Sequence, residues 1–435
     1  MATHWFRCLC GSYNLPNNHW LPQLSIYATK PIIRATASSE LAMLNQTFSQ
    51  LTAKPGYRAQ SFDVSIEADL LDFYKLRQLS IQERVEYADD LMTKTRTFSL
   101  TCLSQQFSYL SFNELARKIA KAWLQEDYPP NYAPCSADKM SWIQNSPELA
   151  VQLHYIFESA GVPYFVVGGV AAIAYGDPRT TRDLDVVVKV SADNVQRLKS
   201  VLEQSGFYVA GAEDVQTSSL QITSRESIAR ADLMVASEDD YTQRQFARRQ
   251  RYKLLGEDEV YLASPEDVIL GKLRWGIQSE SEKQQRDVLA ILKVQQSALN
   301  YQYLYYWGER FEIAERLSQL TIAAGVKDIA DAQWGSRFYS VVKQLFALAK
   351  QAKRIVATEF NEEIATGRRY NLTLNKRTNM LMITDSVDGR PVAQFDEQGQ
   401  VISAAPTLSD RQYWRNTAER MRENRNRYQK GDMEI

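Results

Sequence analysis

Two aspartates one residue apart, Asp183 and Asp185, stand immediately before the apolar run Val186-Val-Val188. In an extended strand residues i and i+2 face the same side. The two carboxylates are therefore carried together while Leu184 points the other way, into a core. Carboxylates held side by side repel one another unless a cation lies between them. Mg²⁺ takes carboxylate oxygens together with substrate phosphates, so the pair suits chemistry on a triphosphate carried by metal. A third carboxylate, Asp232, opens a later apolar strand in Arg230-Ala-Asp-Leu-Met-Val-Ala236. Its side chain is expected to converge with the other two, as a two-metal in-line displacement requires. There it would bind the metal of the attacking hydroxyl or accept that hydroxyl's proton.

Ahead of the aspartates, Gly168 and Gly169 end a short apolar strand and precede the small apolar residues Val170 to Tyr175, a helix with Gly176 as its stop. A glycine pair before a helix N-terminus lets backbone approach a phosphate, and the helix N–H groups favour that anion. Alone, a Gly-Gly is most often a turn and an Asp-x-Asp most often a solvated strand end. The two at this spacing, followed by Asp232 and Lys272, outweigh the bland alternatives. Taken singly, Lys272 fits a surface position on an amphipathic helix equally well, and Arg286-Asp287 fits an ordinary helical charge pair.

The elements that must position these residues can be read around them. Helix 147–159 precedes strand 162–168, and the aspartate strand runs from 184 to 190. Helix 192–204, strands 206–210, 219–223 and 231–236, and helices 265–277 and 282–294 follow, a mixed α/β stretch. Before it, Leu70, Phe73, Leu76 and Leu79 recur at helical spacing, Ser80 and Glu83 form a capping box for a helix through Met92, and a third helix spans 112–125. Residues 127–134, rich in proline, read as a linker. Helical character continues to about Ala357. Residues 369–403 alternate like an antiparallel meander, with turns at 386–389 and 396–399, and a basic helix closes the chain from Ser409 to Lys430.

The chain has 435 residues, 51 basic against 52 acidic, and a mean hydropathy of −0.39. That balance excludes a protein that coats nucleic acid or anionic membrane by bulk charge. No run of about 18 apolar residues is present, and no apolar core follows Arg7 as a secretory signal would need. The four cysteines, Cys8, Cys10, Cys102 and Cys135, form neither a disulfide framework nor a metal cluster, and His4, His19 and His154 are scattered. A cytoplasmic location follows by elimination. Two basic clusters offer nucleic-acid contacts or, equally simply, solvated faces. One is Arg244, Arg248, Arg249, Arg251 and Lys253. The other is the last helix, with Arg411, Arg415, Arg420, Arg422, Arg425, Arg427 and Lys430 around Tyr413 and Trp414.

The series Gly-Gly, short helix, Arg179-Thr-Thr-Arg-Asp-Leu-Asp185 and apolar strand resembles the polymerase-beta-like nucleotidyltransferase superfamily. Within it the resemblance is to the AbiEii-type toxin nucleotidyltransferases and their relatives. Ser264-Pro-Glu-Asp-Val-Ile-Leu-Gly-Lys272 and Gln285-Arg-Asp287 supply that group's later lysine and Arg-Asp pair, so the resemblance covers about 155–298, a third of the chain. It implies that Asp183, Asp185 and Asp232 bind Mg²⁺ and that Lys272 contacts the phosphates of an NTP. Arg179, Thr181 and Arg182 would lie near the triphosphate, and Asp287 would orient Lys272 or the nucleotide. Many members carry serine after the first glycine, where its hydroxyl binds a phosphate oxygen. Gly169 removes that donor and leaves only backbone donors there. The tRNA CCA-adding enzymes share the glycine but expect an Arg-Asp pair where Ala171 and Ala172 stand. Lincosamide-type antibiotic nucleotidyltransferases share the glycines and the paired aspartates, which keeps small-molecule acceptors open.

The expected fold is α/β (α+β), a nucleotidyltransferase fold with a mixed sheet at 145–300. It is preceded by an irregular segment to residue 60 and a helical region at 61–134. A helical extension at 301–358 and a small β-meander with the basic helix at 368–435 follow. The expected reaction moves a nucleoside monophosphate from an NTP to a hydroxyl of tRNA, protein or small molecule. An RNA acceptor and an antitoxin protein are the partners the resemblance implies. The alternative is a catalytically inactive nucleotide- or RNA-binding regulatory module.

Overall fold

A computed structural model describes residues 51–129, 132, 134, 144–210, 219–279 and 282–429. The expected irregular segment before residue 51, Cys8, Cys10, Cys135, His4, His19, part of the proline-rich linker and Lys430 lie outside the described residues. Serine and asparagine caps start the first helices by satisfying free N–H groups. In α1 (Ile66–Gln78) Ser65 accepts from the Ala68 N–H, and in α2 (Ile81–Gln106) and α3 (Phe112–Leu124) Ser80/Glu83 and Ser111/Glu114 form reciprocal capping boxes. In α4 (Ser146–Ala160) the Glu148 carboxylate reaches back to the Asn145 N–H, and Gly161 ends the helix at φ +65°.

The expected mixed sheet follows. It is built from β1 (Tyr164–Val167), β2 (Leu184–Val188), β3 (Phe207–Ala210), β4 (Ser219–Ser224), β5 (Arg230–Val235), β6 (Gln250–Leu255) and β7 (Asp258–Leu262), in spatial order β3-β4-β5-β2-β1-β7-β6. Strands β2 and β5 run parallel, as do β1 and β7, while the remaining pairs are antiparallel. Between the strands lie α5 (Gly168–Tyr175), α6 (Ala192–Gln204) and α7 (Asp240–Arg248). The β6–β7 hairpin is not signalled by periodicity, because its edge strand shows charged Arg251 and Lys253 to solvent. Only Gly256, at φ +55°, marks the turn.

Helix α5 is apolar on every side, with Gly169 through Tyr175 all buried, and a helix of that kind must be enclosed. It packs against β1, β2 and α2 and against two later helices, α8 (Pro265–Ser279) and α9 (Glu282–Gln295). Helix α2 runs past Met92 to Gln106: Val85, Ala88 and Met92 join the core around α5, while Leu100 and Leu103 pack with α3. One residue ties these pieces together. Buried Arg84 on α2 donates from Nε to the Ala174 carbonyl at 2.9 Å, from α5's last turn. Its Nη1 donates to the Leu76 carbonyl at 3.0 Å and to that of Leu79, at the end of α1. Asp69 of α1 binds Lys293 of α9 at 2.5 Å, both buried, and accepts from Tyr57 Oη at 2.6 Å.

Helices α10 (Tyr301–Arg310), α11 (Ala314–Ala323) and α12 (Lys327–Gln351) lead to a six-stranded antiparallel meander. It comprises β8 (Ile355–Ala357), β9 (Glu362–Thr366), β10 (Tyr370–Asn375), β11 (Met380–Asp385), β12 (Pro391–Phe395) and β13 (Val401–Ala404). The meander begins at Ile355, earlier than the alternation from 369 predicts, because β8 and β9 follow the end of α12 directly. Trp334, Phe338, Val342 and Phe346 of α12 share its core with Trp414 of α13 (Leu408–Gln429). Trp414 is therefore a core residue, not a platform for a base. Arg411 pairs with buried Asp331 and lies 4.1 Å over the Tyr305 ring, and Arg415 pairs with Glu309. The other basic cluster is split between α7 and β6, with partners at each position. Arg244 pairs with Asp240, Arg248 with Glu266, Arg251 with Glu259 and Lys253 with Glu257, while Arg249 donates to the Tyr164 carbonyl.

Arg84 gives the fold's sharpest test. Arg84→Met leaves the carbonyl ends of α1 and α5 without their buried donor, and the expected loss is about 3 kcal/mol in urea unfolding. A change within about 0.5 kcal/mol, the range of ordinary surface substitutions, would show that the arginine is not what joins these helices.

Candidate active site

Strand register places the aspartates. Asp185 pairs with Val167 of β1 on one side and with Asp232 of β5 on the other. Neighbours at one register of a parallel pair share a face, so the two carboxylates lie side by side. Leu184, Val186, Ala231 and Leu233 are buried on the opposite face. Asp183 precedes β2 by one residue.

The glycine pair is shaped around Asp185. Gly168 has φ +62°, and a Cβ there would lie 1.8 Å from Asp185 Oδ2. The Gly169 N–H lies near enough to favour the charged form of the Asp185 carboxyl. The first turn of α5, expected to face a phosphate, thus already has a carboxylate against it. Burial, then the nearby Asp232, push the Asp185 carboxyl above the usual range, against the pull of Lys272.

On the next strand, Arg230 Nη2 stands 3.2 Å from both Asp232 oxygens, and Gln221 Nε2 donates to Oδ1 at 3.2 Å. Arg182 Nε lies 3.5 Å from Asp183 Oδ2. Among the described residues no three His, Cys, Asp or Glu side chains surround one point ready to hold a metal. Asp185 and Asp232 stand on adjacent interior strands with Asp183 just before the first of them, and Asp183 and Asp232 are turned to arginines. The donor chemistry nevertheless fits Mg²⁺: oxygen ligands only, and one carboxyl made unfavourable to ionise by burial and by its neighbour's charge.

A second layer is cationic. Lys272 of α8 is buried, 2.6 Å from Asp287 Oδ2, and donates to Gln284 Oε1 at 3.0 Å. Arg179 binds the same carboxylate with two parallel bonds of 2.7 Å. Burial alone would raise the Asp287 carboxyl, but Arg179 and Lys272 outweigh it and bring it below the usual range. Desolvation lowers the Lys272 ammonium against the attraction of Asp287. Asp287 thus pairs with two cations, Arg179 and Lys272, at once. Thr181 lies against Gly169.

Four further residues join the site that sequence reasoning does not find. Arg230 lies two residues before Asp232 and could have been read from strand alternation. Lys283 of α9 is lowered by desolvation and by the Arg179 charge, with Asp287 opposing. The Asp177 carboxyl is pushed up to about 6 by burial, with Arg179 and Arg286 holding it lower than burial alone would. Arg96 of α2 donates to the Gln144 carbonyl and sits in the field of Glu148, Asp183 and Asp89. It lies far upstream in sequence, and nothing local announces it.

No family model and no curated protein matches the chain. Among solved structures, an antigenic nucleotidyltransferase-like protein from Paracoccidioides brasiliensis is 25% identical, over 45% of this chain and 96% of that one, at a TM-score of 0.32. The lincosamide antibiotic adenylyltransferase LnuA, bound to lincomycin, is 17% identical over 35% of this chain and 99% of its own, at 0.27. The antibiotic-resistance factor ANT(2'')-Ia is 15% identical over 40% and 97%, at 0.30. Likenesses at this level identify no family, and the functional reading rests on the site's own residues. No described helix is long and apolar enough to cross a membrane.

Asp185→Asn keeps the shape but removes a charge. A carboxyl raised in the folded state contributes stability below its unfolded pKa, near 3.8, and loses it as pH rises through the folded value. At neutral pH in the absence of metal the variant is therefore expected to melt higher than wild type. A lower melting temperature than wild type in calorimetry at pH 7 with EDTA would contradict this account of the site's charge.

Proposed function

We propose that this protein is an Mg²⁺-dependent nucleotidyltransferase that moves a nucleoside monophosphate from an NTP to an acceptor hydroxyl and releases pyrophosphate. The observation that carries the reading is the pairing of Asp185 with Asp232 at one register, with Lys272 and Arg179 aimed by Asp287 in the layer behind. Such carboxylates, backed by paired cations, are the groups that in-line transfer to phosphorus would use.

Lys272, Arg179, Arg182 and Lys283 would bind the triphosphate, and Asp287 fixes the first two in direction. Asp183, Asp185 and Asp232 would hold Mg²⁺, which when bound offsets the charge on the phosphates and on the crowded carboxylates. Asp232 would take the acceptor's proton once its pairing with Arg230 is exchanged. The acceptor oxygen then forms its bond to the α-phosphorus, the bond from that phosphorus to the bridging oxygen breaks, and pyrophosphate leaves with the electron pair. The AbiEii-type resemblance supports a toxin- or defence-type role with an RNA acceptor. The shared glycine and aspartate pattern of antibiotic-modifying enzymes supports a small-molecule acceptor.

The test is to incubate the full chain with Mg²⁺, each α-labelled NTP, and either total RNA or a small-molecule extract. Label is expected in one acceptor fraction with matching pyrophosphate, falling at least about 10³-fold in Asp185→Asn. NTP binding without pyrophosphate from any NTP and either fraction would instead favour the inactive binding module.

A further inference from the structure

The space left by Gly169 at the first turn of α5 is filled from outside the helix. A Cβ on Gly169 would lie 2.3 Å from Thr181 Oγ1 and 3.0 Å from Thr181 Cβ. No side chain fits at 169 while Thr181 holds this position, so the two residues occupy one volume between them. Thr181 is buried, and its N–H reaches Met92 Sδ at 3.4 Å. Its hydroxyl meets the Asp183 carbonyl at 3.4 Å, at the outer limit of a hydrogen bond. A buried hydroxyl bonded this weakly keeps its capacity to donate to a better acceptor. It lies between the helix N-terminus, which favours anions, and the backbone of the first aspartate. The Asp185 carboxylate fills the space over Gly168, so an anion at this turn gains from a further donor.

We propose that Thr181 Oγ1 donates a hydrogen bond to a phosphate oxygen of the bound NTP, and that residue 169 is glycine because this hydroxyl takes its side-chain volume. The chain thereby restores, from the loop before β2, the hydroxyl donor that a serine at 169 would carry. This rests on the nucleotidyltransferase reading and extends it by naming the donor and its steric partner.

The experiment measures equilibrium binding of ATP, GTP, CTP and UTP with Mg²⁺ to the full chain, with thermal unfolding followed in parallel. Thr181→Val keeps the shape and loses the hydroxyl. It is expected to bind the preferred NTP roughly 10- to 100-fold more weakly with little change in melting temperature. Thr181→Ser recovers most of the affinity. Gly169→Ser alone weakens binding, because its Cβ collides with Thr181. Gly169→Ser combined with Thr181→Ala binds better than Gly169→Ser, because one hydroxyl again occupies the shared volume.

Wild-type affinity in Thr181→Val overturns this inference and leaves the nucleotidyltransferase reading intact. Failure of the wild-type protein to bind any of the four NTPs overturns both. Should Thr181→Val not fold, the double variant decides, and binding no better than that of Gly169→Ser overturns the proposal.

Discussion

The arrangement of the sheet and its central helix depends on where one carboxylate is kept. Asp185 of β2 sets its carboxylate against the junction of β1 and α5, over a glycine whose φ and missing side chain make room for it. That position sets the pairing of β1 with β2 through Val167 and of β2 with β5 through Asp232. A carboxylate so deeply placed is costly to ionise, and Asp232 beside it adds to the cost. The surrounding cations answer that cost. Lys272 lies in its field, Arg230 holds Asp232 and Arg182 holds Asp183. Arginines thus pair with the outer two acids, and a cation bound there would have to compete with them.

The enclosing helices serve the same end. Helix α5 must stay fixed for its first turn to receive Asp185, and it is held at its far end by Arg84 and along its sides by α2, α8 and α9. Helices α8 and α9 in turn bring Lys272 and Asp287 to the site. Burial of Asp69 with Lys293 pins α1 to α9, so the N-terminal helices are part of the frame that orients the cationic layer. The second core, built on α12, the meander and α13, is farther along the chain. Its basic helix turns Arg411 and Trp414 inward.

What could be read from sequence was what local periodicity carries. A period of two put Asp185 and Asp232 on strands whose apolar residues face the core, though Asp183 falls one residue before its strand, and the capping box at Ser80 stands at a real helix start. What could not be read were contacts closed over long chain separations. Arg96 and Arg84 come from α2, and no local pattern separates them from surface arginines. The β6–β7 hairpin hid behind charged edge residues, and Trp414 beside Tyr413 on a basic helix looked exposed because its partners on α12 are some eighty residues away. The rotamers of Asp183 and Asp232 likewise follow from arginine partners rather than from their own spacing.

The central claim is that the three aspartates and the Lys272–Asp287–Arg179 layer form one nucleotide site. Anomalous diffraction from crystals soaked with Mn²⁺ and an α,β-methylene NTP tests it most directly. The account predicts manganese on Asp183, Asp185 and Asp232, with phosphate oxygens within hydrogen-bond reach of Lys272 and Arg179. Manganese bound elsewhere, or a triphosphate lying away from Lys272 with the arginine pairs of Asp183 and Asp232 unbroken, would contradict it.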